Sequence, residues 1–377
     1  MSTITPTPLP SGLPALSAHA IAWSDAPRAL AFDHWLNALA EQHTLDRASL
    51  RPASADASFR RYFRIDSTLR SSDGASSPIS YIIMDAPPQL ENSQPFVQVA
   101  TLMQQAGVRV PQVLSWDAEW GFMLLTDLGP RTLLQALDIA HPEANLPRFQ
   151  QALDALLNWQ AASRPGVLPA YDAALLQREL ALFPDWYLAR HRGVQLTAAQ
   201  QQVLSESFAR IVQTNLASAS VFVHRDFMPR NLIVADDPAL PLGVLDFQDA
   251  VYGPITYDIA SLMRDAFVSW DEAMVIDVTV RYWERARKRG LPVDEDFGAF
   301  YRAVEWMALQ RHLKVAGIFA RLTLRDGKPQ YLADAPRFIG YIRATCARYT
   351  GLKPLLRLID QIEGIQEPAV FGFGRQA

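Results

Sequence analysis

The chain has 377 residues, of which 49% are apolar and 20% are charged, and its formal net charge is −4. This composition is ordinary for a globular protein and leaves room for two domains. The negative charge argues against nucleic acid as a partner, since phosphate-binding proteins usually carry a basic patch. Cys346 is the only cysteine, which excludes a disulfide framework or a CxxC metal site within one chain.

The sequence gives no sign of a membrane or export segment. No apolar run approaches the length of a membrane span, and the N-terminus lacks the basic region and apolar core of a secretory signal. We therefore expect a cytoplasmic monomer with no membrane partner. Residues 1–26 are rich in Thr, Pro, Ser and Ala and are expected to form a flexible tail.

The next part of the chain predicts a helix and then a β-hairpin. The helix would place four apolar residues on one face, namely Leu30, Trp35, Leu36 and Leu39. Residues 58–65 have the pattern of a strand, 71–75 are rich in turn-forming residues, and 79–84 have the pattern of the returning strand. Another apolar strand is expected at 121–125, before the segment Thr126-Asp127-Leu128-Gly129.

Helical patterns dominate from about residue 131 onward. One helix is expected to break at Pro184, where Asp185 stands beside the aromatic residues Trp186 and Tyr187. A later helix carries Trp306 and a basic group formed by three side chains, namely Arg311, His312 and Lys314. We predict an α+β protein with a β-rich domain at 27–129 and a helix-rich domain at 130–377.

The most informative stretch lies within the helix-rich part. Three short apolar runs at 221–223, 232–234 and 243–245 are typical of buried strands, and polar residues follow the first and the third. The first loop fits the pattern H-R-D-x-x-x-x-N, and the second begins D-F-x. This pair of motifs resembles the catalytic loop and the metal-binding Asp of protein-kinase-like phosphotransferases.

Phosphoryl transfer explains why these residue types stand at this spacing. A carboxylate must accept the proton of the attacking hydroxyl, and Asp226 is the candidate base. Mg²⁺ needs few protein oxygens when phosphate oxygens and water complete its shell, so Asn231 and Asp246 are candidate ligands. The alternative is that these residues only cap turns. Agreement between several parts of the motif favours the catalytic interpretation.

Longer segments resemble the aminoglycoside phosphotransferase family. They are His224–Asn231, Leu245–Asp249 and Gly253–Asp258. Three more segments resemble one branch of that family, the bacterial kinases that phosphorylate the anomeric hydroxyl of N-acetylmuramate or N-acetylglucosamine in cell-wall recycling. They are Ser58–Arg64, Met84–Pro88 and Arg311–Arg321. The resemblance implies a bilobal protein-kinase-like fold, with a small antiparallel sheet in the N-lobe and a mainly helical C-lobe.

The resemblance also implies roles for individual residues. ATP and Mg²⁺ would be the cofactors, and an amino sugar would receive phosphate on its C1 hydroxyl. Candidates for binding the nucleotide are Ser58, Phe59, Arg60, Arg61, Arg64, Thr126, Asp127 and Leu128. Arg230 would carry positive charge towards the phosphate, while His224 and Asp258 would support the catalytic loop. For the arginines the alternative is solvent exposure, and for Thr126–Leu128 it is an ordinary turn at a strand end.

Two departures from the protein-kinase pattern bear on function. No long activation segment ending in A-P-E follows Asp246, which favours a small molecule over a polypeptide as acceptor. The third strand lacks the Lys that usually binds the α- and β-phosphates, so arginines or Mg²⁺ would have to replace it. Proposed substrate contacts are Asp185, Trp186, Arg311, His312 and Lys314, on the argument that Arg and Lys bind carboxylates and aromatic faces suit sugars.

Three alternatives remain open from the sequence. The acceptor could be an aminoglycoside or a choline-like amine, or the protein could be a nucleotide-binding pseudokinase that acts as a scaffold. The missing third-strand Lys is the only feature that favours a pseudokinase. The complete set of Asp226, Asn231 and Asp246 favours an enzyme. For the aromatic candidates Trp186, Tyr187, Trp270 and Trp306, the alternative is core packing.

Overall fold

The structure is a computed structural model that describes residues 21–23, 25–55, 59–70, 78–237 and 239–366. Ser58 and most of the expected N-terminal tail lie outside these ranges. The chain divides into two compact units, one formed by Met1–Leu102 and Val110–Gly129 and the other by Met103–Arg109 and Pro130–Ala377. Each unit is described by itself below.

The first part of the chain holds a helix followed by a β-rich segment. Its elements are α1 (Ala26–Gln42), β1 (Leu45–Ala55), β2 (Arg61–Arg70), β3 (Pro78–Asp85), α2 (Gln94–Gln105), β4 (Val113–Asp117) and β5 (Phe122–Thr126). The five strands form one antiparallel sheet in the order β1-β2-β3-β5-β4. The two predicted strands of the hairpin are confirmed as an antiparallel pair, with Phe63 opposite Ile83. The expected turn at 71–75 lies outside the described residues. Its first strand begins at Arg61, three residues later than expected, and Phe59 is exposed.

The core of the first unit lies between α1 and one face of the sheet. Phe32, Leu36 and Leu39 stand three or four residues apart, so one side of the helix buries all three. They pack against sheet residues that include Phe63 and Phe122. The predicted helix is therefore confirmed, but Leu30 was wrongly placed on its inner face, since this side chain is 45% exposed.

The turn between β4 and β5 requires a glycine. Gly121 has a φ of +73°, and a Cβ atom added there would stand 1.9 Å from the carbonyl oxygen of Ala86. Its N–H donates to the carbonyl of Asp117 at 2.7 Å. Only glycine accommodates both the left-handed conformation and this close backbone approach. The turn thus fixes where β5 begins.

The second unit is mainly helical and contains two short β-ladders. Its helices are α3 (Leu133–Ala136), α4 (Leu146–Ala161), α5 (Ala173–Leu182), α6 (Ala198–Leu216), α7 (Thr256–Met263), α8 (Glu272–Lys288), α9 (Phe297–Leu324), α10 (Ala335–Arg348) and α11 (Lys353–Glu363). Its strands are β6 (Ser220–Val223), β7 (Leu232–Ile233), β8 (Gly243–Val244) and β9 (Val251–Pro254). Short 3-10 helices cover Pro142–Asn145, Pro229–Asn231, Pro329–Asp334 and Thr350–Leu352. The sheet-then-helices arrangement confirms the α+β class.

All three apolar runs around the predicted catalytic loop are strands. Strand β6 pairs with β9, and β7 pairs with β8, both antiparallel. The side chains of β7 and β8 are buried, as are those of Val221, Phe222 and Val223 in β6. Buried strands on both sides hold the ends of the loop in place.

The helical segment around Pro184 differs from the prediction. The chain does not break there: α5 ends at Leu182 and continues directly as a π-helix over Phe183–His191. Proline lacks the N–H that a regular helix needs, and a wider π turn accommodates this missing donor. Tyr187, Trp270 and Trp306 are each at most 3% exposed, so they serve as core residues. Across the described residues, no helix is both long and apolar enough to cross a membrane.

Candidate active site

The predicted catalytic loop leaves β6 and returns through a short 3-10 helix to β7. Asp226 follows β6 by three residues, and its carbonyl accepts the N–H of Met228 at 2.9 Å. The carbonyl of Met228 in turn accepts the N–H of Asn231 at 2.9 Å. These bonds fold residues 226–231 into a tight turn that brings Asn231 back beneath Asp226.

Asp258, on α7, supports the start of this loop. Its carboxylate accepts the backbone N–H of His224 at 2.7 Å and that of Arg225 at 3.0 Å. The side chain is fully buried, and burial raises the pKa of Asp258 to about 7 despite these two hydrogen bonds. Arg225 adopts a φ of +76°, a conformation that L-residues hold only when their surroundings stabilise it. Asp258 provides part of that stabilisation.

His224 also serves the backbone of the loop. Its Nδ1 accepts the N–H of Asp226 at 3.2 Å, which requires this nitrogen to be unprotonated. Burial lowers the pKa of His224 to about 4, so the ring is neutral at physiological pH. The placement of His224 and Asp258 fits the supporting roles expected for them.

Asn231 joins the loop to the second motif. Its amide nitrogen donates to the carbonyl of Asp226 at 2.9 Å and to a carboxylate oxygen of Asp246 at 3.2 Å. The backbone reinforces this link, because the N–H of Leu245 donates to the carbonyl of Asn231 at 2.9 Å. The structure therefore brings together Asp226, Asn231 and Asp246, which stand up to 20 positions apart in the sequence.

The oxygen atoms at this point suit a hard divalent cation. Asp246 is exposed and has a φ of +64°, and Gln248 donates to its other carboxylate oxygen at 2.9 Å. The amide oxygen of Asn231 has no hydrogen-bond partner in the described chain. One amide oxygen and one carboxylate match the few protein ligands that Mg²⁺ takes when phosphates supply the rest. Within the described residues, no cluster of three or more His, Cys, Asp or Glu offers an alternative metal site.

Arg230 is exposed on the same loop. Its guanidinium lies 4.8 Å from the ring centre of Phe267, in a cation–π contact. The contact engages one face of the guanidinium, and the residue as a whole is exposed. This position is compatible with the phosphate-directed charge expected of Arg230.

The basic residues expected to touch substrate are buried in α9. Arg311 donates to the carbonyl of Arg225 at 2.8 Å, His312 lies 3.2 Å from the carbonyl of Arg264, and Lys314 donates to Glu179 at 2.9 Å. Burial lowers the pKa of His312 to about 3, so the ring is uncharged. All three side chains already have partners within the protein, and Arg311 contacts the catalytic loop directly. Their arrangement therefore favours support of the loop over contact with substrate.

Asp185 and Trp186 lie on the π-helix. Asp185 is exposed. The guanidinium of Arg190 lies 3.8 Å from the ring centre of Trp186, in a cation–π contact. In the described part of the chain, no hydrogen bond or ion pair joins this segment to Asp226 or Asn231. Short π-helical segments within longer helices often occur at functional sites. Substrate contact by Asp185 and Trp186 remains a prediction.

The arginines of the β-rich unit are paired with acids. Arg60 contacts Glu91 at 3.0 Å, Arg61 binds the buried carboxylate of Asp85, and Arg64 contacts Asp127 at 2.5 Å. These acids come from β3, the loop after β3 and the segment after β5, so the sequence around the arginines gives no sign of them. Each of the three arginines expected to replace the third-strand Lys thus already contacts an acid, and Asp85 is shared between Arg61 and Arg28. Phosphate binding by these arginines remains a prediction.

The segment after β5 is also ordered by side-chain contacts. Asp127 accepts the hydroxyl of Ser80 at 2.8 Å and the N–H of Gly129 at 2.9 Å. Burial acts to raise the pKa of Asp127, but the bonds from Arg64, Gly129 and Ser80 outweigh it and lower the pKa. Thr126 accepts the N–H of Gln112 with its hydroxyl, and Leu128 is buried. Ser58, the remaining nucleotide candidate, lies outside the described residues.

Comparison with known proteins identifies the family. The model of the phosphotransferase enzyme family, also called APH, matches residues 49–293. The chain belongs to this phosphotransferase family. Its catalytic residues are expected in the loops described above, because residues 224–231 and 246–248 both fall within the matched region.

Two curated relatives align with most of the chain. N-acetylmuramate/N-acetylglucosamine kinase of Pseudomonas aeruginosa is 49% identical over 84% of this chain and 89% of its own length. The protein of the same name from Neisseria meningitidis is 45% identical over 90% of this chain and 97% of its own length. The family fold extends to a Plasmodium vivax ethanolamine kinase, with a TM-score of 0.56 and 11% identity over 85% of this chain and 88% of that one.

Proposed function

We propose that this phosphotransferase moves the γ-phosphate of ATP to the anomeric C1 hydroxyl of N-acetylmuramate, N-acetylglucosamine or both. The observation that carries the proposal is the convergence of Asp226, Asn231 and Asp246, joined by the amide of Asn231. The acceptor class rests on two relatives at 45–49% identity that bear the name of such a kinase. The donor and the anomeric position rest on the family resemblance.

In the proposed mechanism, Asp226 accepts the proton of the C1 hydroxyl as its oxygen attacks phosphorus. The hydroxyl O–H bond and the bond from phosphorus to the bridging oxygen of ADP break, and a new sugar O–P bond forms. Asn231 and Asp246 would hold Mg²⁺, which when bound neutralises phosphate charge. Proton acceptance by a positioned carboxylate contributes about 10²- to 10⁴-fold in rate.

The supporting residues keep Asp226 ready for this task. Asp258 and His224 hold the backbone of residues 224–226, so little rearrangement is needed before proton transfer. Arg230 would place positive charge near the transferred phosphate. A cytoplasmic location belongs to the same proposal, because ATP is supplied there.

The direct test is ATP consumption over a panel of acceptors in the presence of Mg²⁺. The panel contains N-acetylmuramate, N-acetylglucosamine, kanamycin and choline. Turnover on the amino sugars with an acid-labile product, assigned to C1 by phosphorus and proton NMR, supports the proposal. Turnover on kanamycin or choline alone overturns the acceptor but keeps phosphoryl transfer. Nucleotide binding without turnover on any acceptor supports the pseudokinase alternative.

A further inference from the structure

Arg225, the residue before the proposed base, is held from three directions. Its N–H donates to Asp258 at 3.0 Å, and its carbonyl accepts the guanidinium of Arg311 at 2.8 Å. Its own guanidinium donates to Glu179 at 2.6 Å and to the carbonyl of Asp249 at 3.3 Å. Because Arg225 has a φ of +76°, this set of contacts keeps a backbone conformation that a free chain would rarely adopt.

Glu179 is the acid at the centre of these contacts. It is 5% exposed, and its carboxylate accepts hydrogen bonds from Arg225, from Lys314 at 2.9 Å and from the hydroxyl of Tyr171. Burial raises the pKa of Glu179, but Lys314 and Arg225 outweigh it and bring the pKa down to about 2. The carboxylate is therefore ionised throughout the physiological range. It is the only acid that forms an ion pair with Arg225 or Lys314 among the described residues.

The position of Glu179 is set by the packing of α5 against α9. Two further contacts lie on either side of the Glu179–Lys314 pair along these helices. Gln310 donates to the carbonyl of Leu176 at 3.1 Å. Gly317 meets the backbone of Leu182 so closely that an added Cβ would stand 2.4 Å from it. Three successive contacts thus fix the register of α5 against α9. This register sets where along α5 the carboxylate of Glu179 meets Arg225.

We propose that Glu179 is a positioning residue for phosphoryl transfer, and that it acts by holding the guanidinium of Arg225 so that Asp226 stays aligned with the acceptor hydroxyl. Lys314 contributes to this positioning, because its ammonium binds the same carboxylate of Glu179. The activity readout of this inference rests on the proposed kinase function. The inference goes beyond that function, since no local motif connects Glu179 with a loop 46 residues downstream.

A purely structural ion pair is the competing explanation, and the molecule contains a matched control. Glu305 is also buried, at 3% exposure, and also contacts two cationic side chains and a tyrosine hydroxyl. Its partners are Arg348 at 2.6 Å, Arg264 at 3.7 Å and the hydroxyl of Tyr349. None of these three belongs to the catalytic loop. Glu305→Gln therefore removes a comparable buried charge without releasing Arg225.

The first experiment compares Glu179→Gln with Glu305→Gln in steady-state kinetics and thermal unfolding. We expect both variants to melt at lower temperature, because each removes a buried carboxylate that pairs with cationic side chains. The loss should be smaller for Glu305→Gln, since Arg264 and Arg348 also pair with Glu272. Only Glu179→Gln should lower kcat, by about 10- to 100-fold with KM for ATP and sugar nearly unchanged, since a misplaced reacting group costs rate more than binding. Equal kcat losses in the two variants, or no loss in Glu179→Gln, overturn the proposal.

A double-mutant cycle tests whether Glu179 acts through Arg225. If it does, Glu179→Gln combined with Arg225→Met should be no slower than Arg225→Met alone, because the contact is already lost. Multiplying losses would show that Glu179 acts by another route and would overturn the proposal. Lys314→Met leaves the pair of Glu179 and Arg225 intact and should cost less kcat than Glu179→Gln.

Amide hydrogen exchange supplies a readout that does not depend on the acceptor. Exchange in a peptide covering residues 221–232 should be faster in Glu179→Gln than in wild type and unchanged in Glu305→Gln. Unchanged exchange in Glu179→Gln overturns the proposal even where kcat falls. If the wild-type protein phosphorylates no sugar, the proposed function fails, while the exchange result still decides whether Glu179 orders the loop.

Discussion

The amide nitrogen of Asn231 lies 3.2 Å from a carboxylate oxygen of Asp246. The two residues come from different loops, and the antiparallel pair of β7 and β8 holds those loops side by side. Since the same amide also binds the carbonyl of Asp226, the proposed metal ligands and the proposed base form one hydrogen-bonded unit. Changes to any of the three are expected to act on the same chemical step.

Asp226→Asn should abolish most turnover while preserving nucleotide affinity. The amide keeps the shape of the side chain but cannot accept the hydroxyl proton, so kcat should fall by about 10²- to 10⁴-fold. Steady-state kinetics with varied ATP and sugar measure this directly. Asp277→Asn, at the half-exposed ion pair with Arg281, is the control and should match wild type. Full turnover by Asp226→Asn would contradict the assignment of the base.

Asp246→Asn should lower the affinity of the enzyme for Mg²⁺. Replacing the carboxylate by an amide removes the negative charge that a divalent ion favours, and we expect the Mg²⁺ concentration for half-maximal rate to rise by at least about tenfold. A magnesium titration at saturating ATP and sugar gives this value. An unchanged midpoint would show that Asp246 does not bind the ion.

The stabilising effect of Glu179 should depend on pH in a defined direction. Its pKa is about 2 in the folded protein, against an ordinary value of 4.5. A carboxylate with a lowered pKa stabilises the fold above its unfolded pKa and loses that contribution as the pH falls through its folded pKa. The shift corresponds to about 3 kcal/mol. The difference in unfolding free energy between wild type and Glu179→Gln should therefore shrink by up to that amount from pH 6 to pH 2.

Urea unfolding of both proteins at several pH values measures this difference. The comparison cancels the titration of the other acids, which both proteins share. A difference that stays constant over the range would mean that Glu179 is not held ionised by Arg225 and Lys314.

Two helical glycines should respond in opposite ways to alanine. At Gly317 the new methyl group would overlap the backbone of Leu182, and such overpacking costs about 1–3 kcal/mol. At Gly340 on α10 nothing lies within 4 Å of the added Cβ, and alanine should stabilise the helix by about 0.5–1 kcal/mol.

Thermal unfolding and kcat of the two glycine variants test the packing of α5 on α9. Gly317→Ala should also lower kcat, because it shifts the helix that carries Glu179. Gly340→Ala should leave kcat unchanged. A Gly317→Ala protein with wild-type stability would contradict the close approach of the two helices.

Local patterns in the sequence were sufficient for the loop and its strands. The apolar runs around residues 224–231 and before Asp246 have the length and flanking residues of buried strands, and the structure confirms all three. The hairpin of β2 and β3 was predictable for the same reason, since a turn-rich segment separates two strand patterns. Each of these signals lies within about ten residues of the element it predicts.

Long-range pairing was not predictable from the sequence. Nothing near Arg64 indicates that Asp127 will neutralise it, because 63 residues separate them. The basic group of Arg311, His312 and Lys314 has the pattern of a charged surface, yet α9 is buried along this stretch. Burial of charge depends on partners from other elements. Glu179 was missed for the same reason: its role exists only once α5 packs on α9.

Several backbone N–H and carbonyl groups of the catalytic loop form hydrogen bonds within the protein. Asp258 takes two of its N–H groups, Arg311 takes a carbonyl, and Asn231 takes another. These main-chain groups are engaged within the protein, so we expect selectivity between acceptors to come from segments outside this loop. A protein engineer who wants a new acceptor should vary those segments and leave residues 224–231 intact.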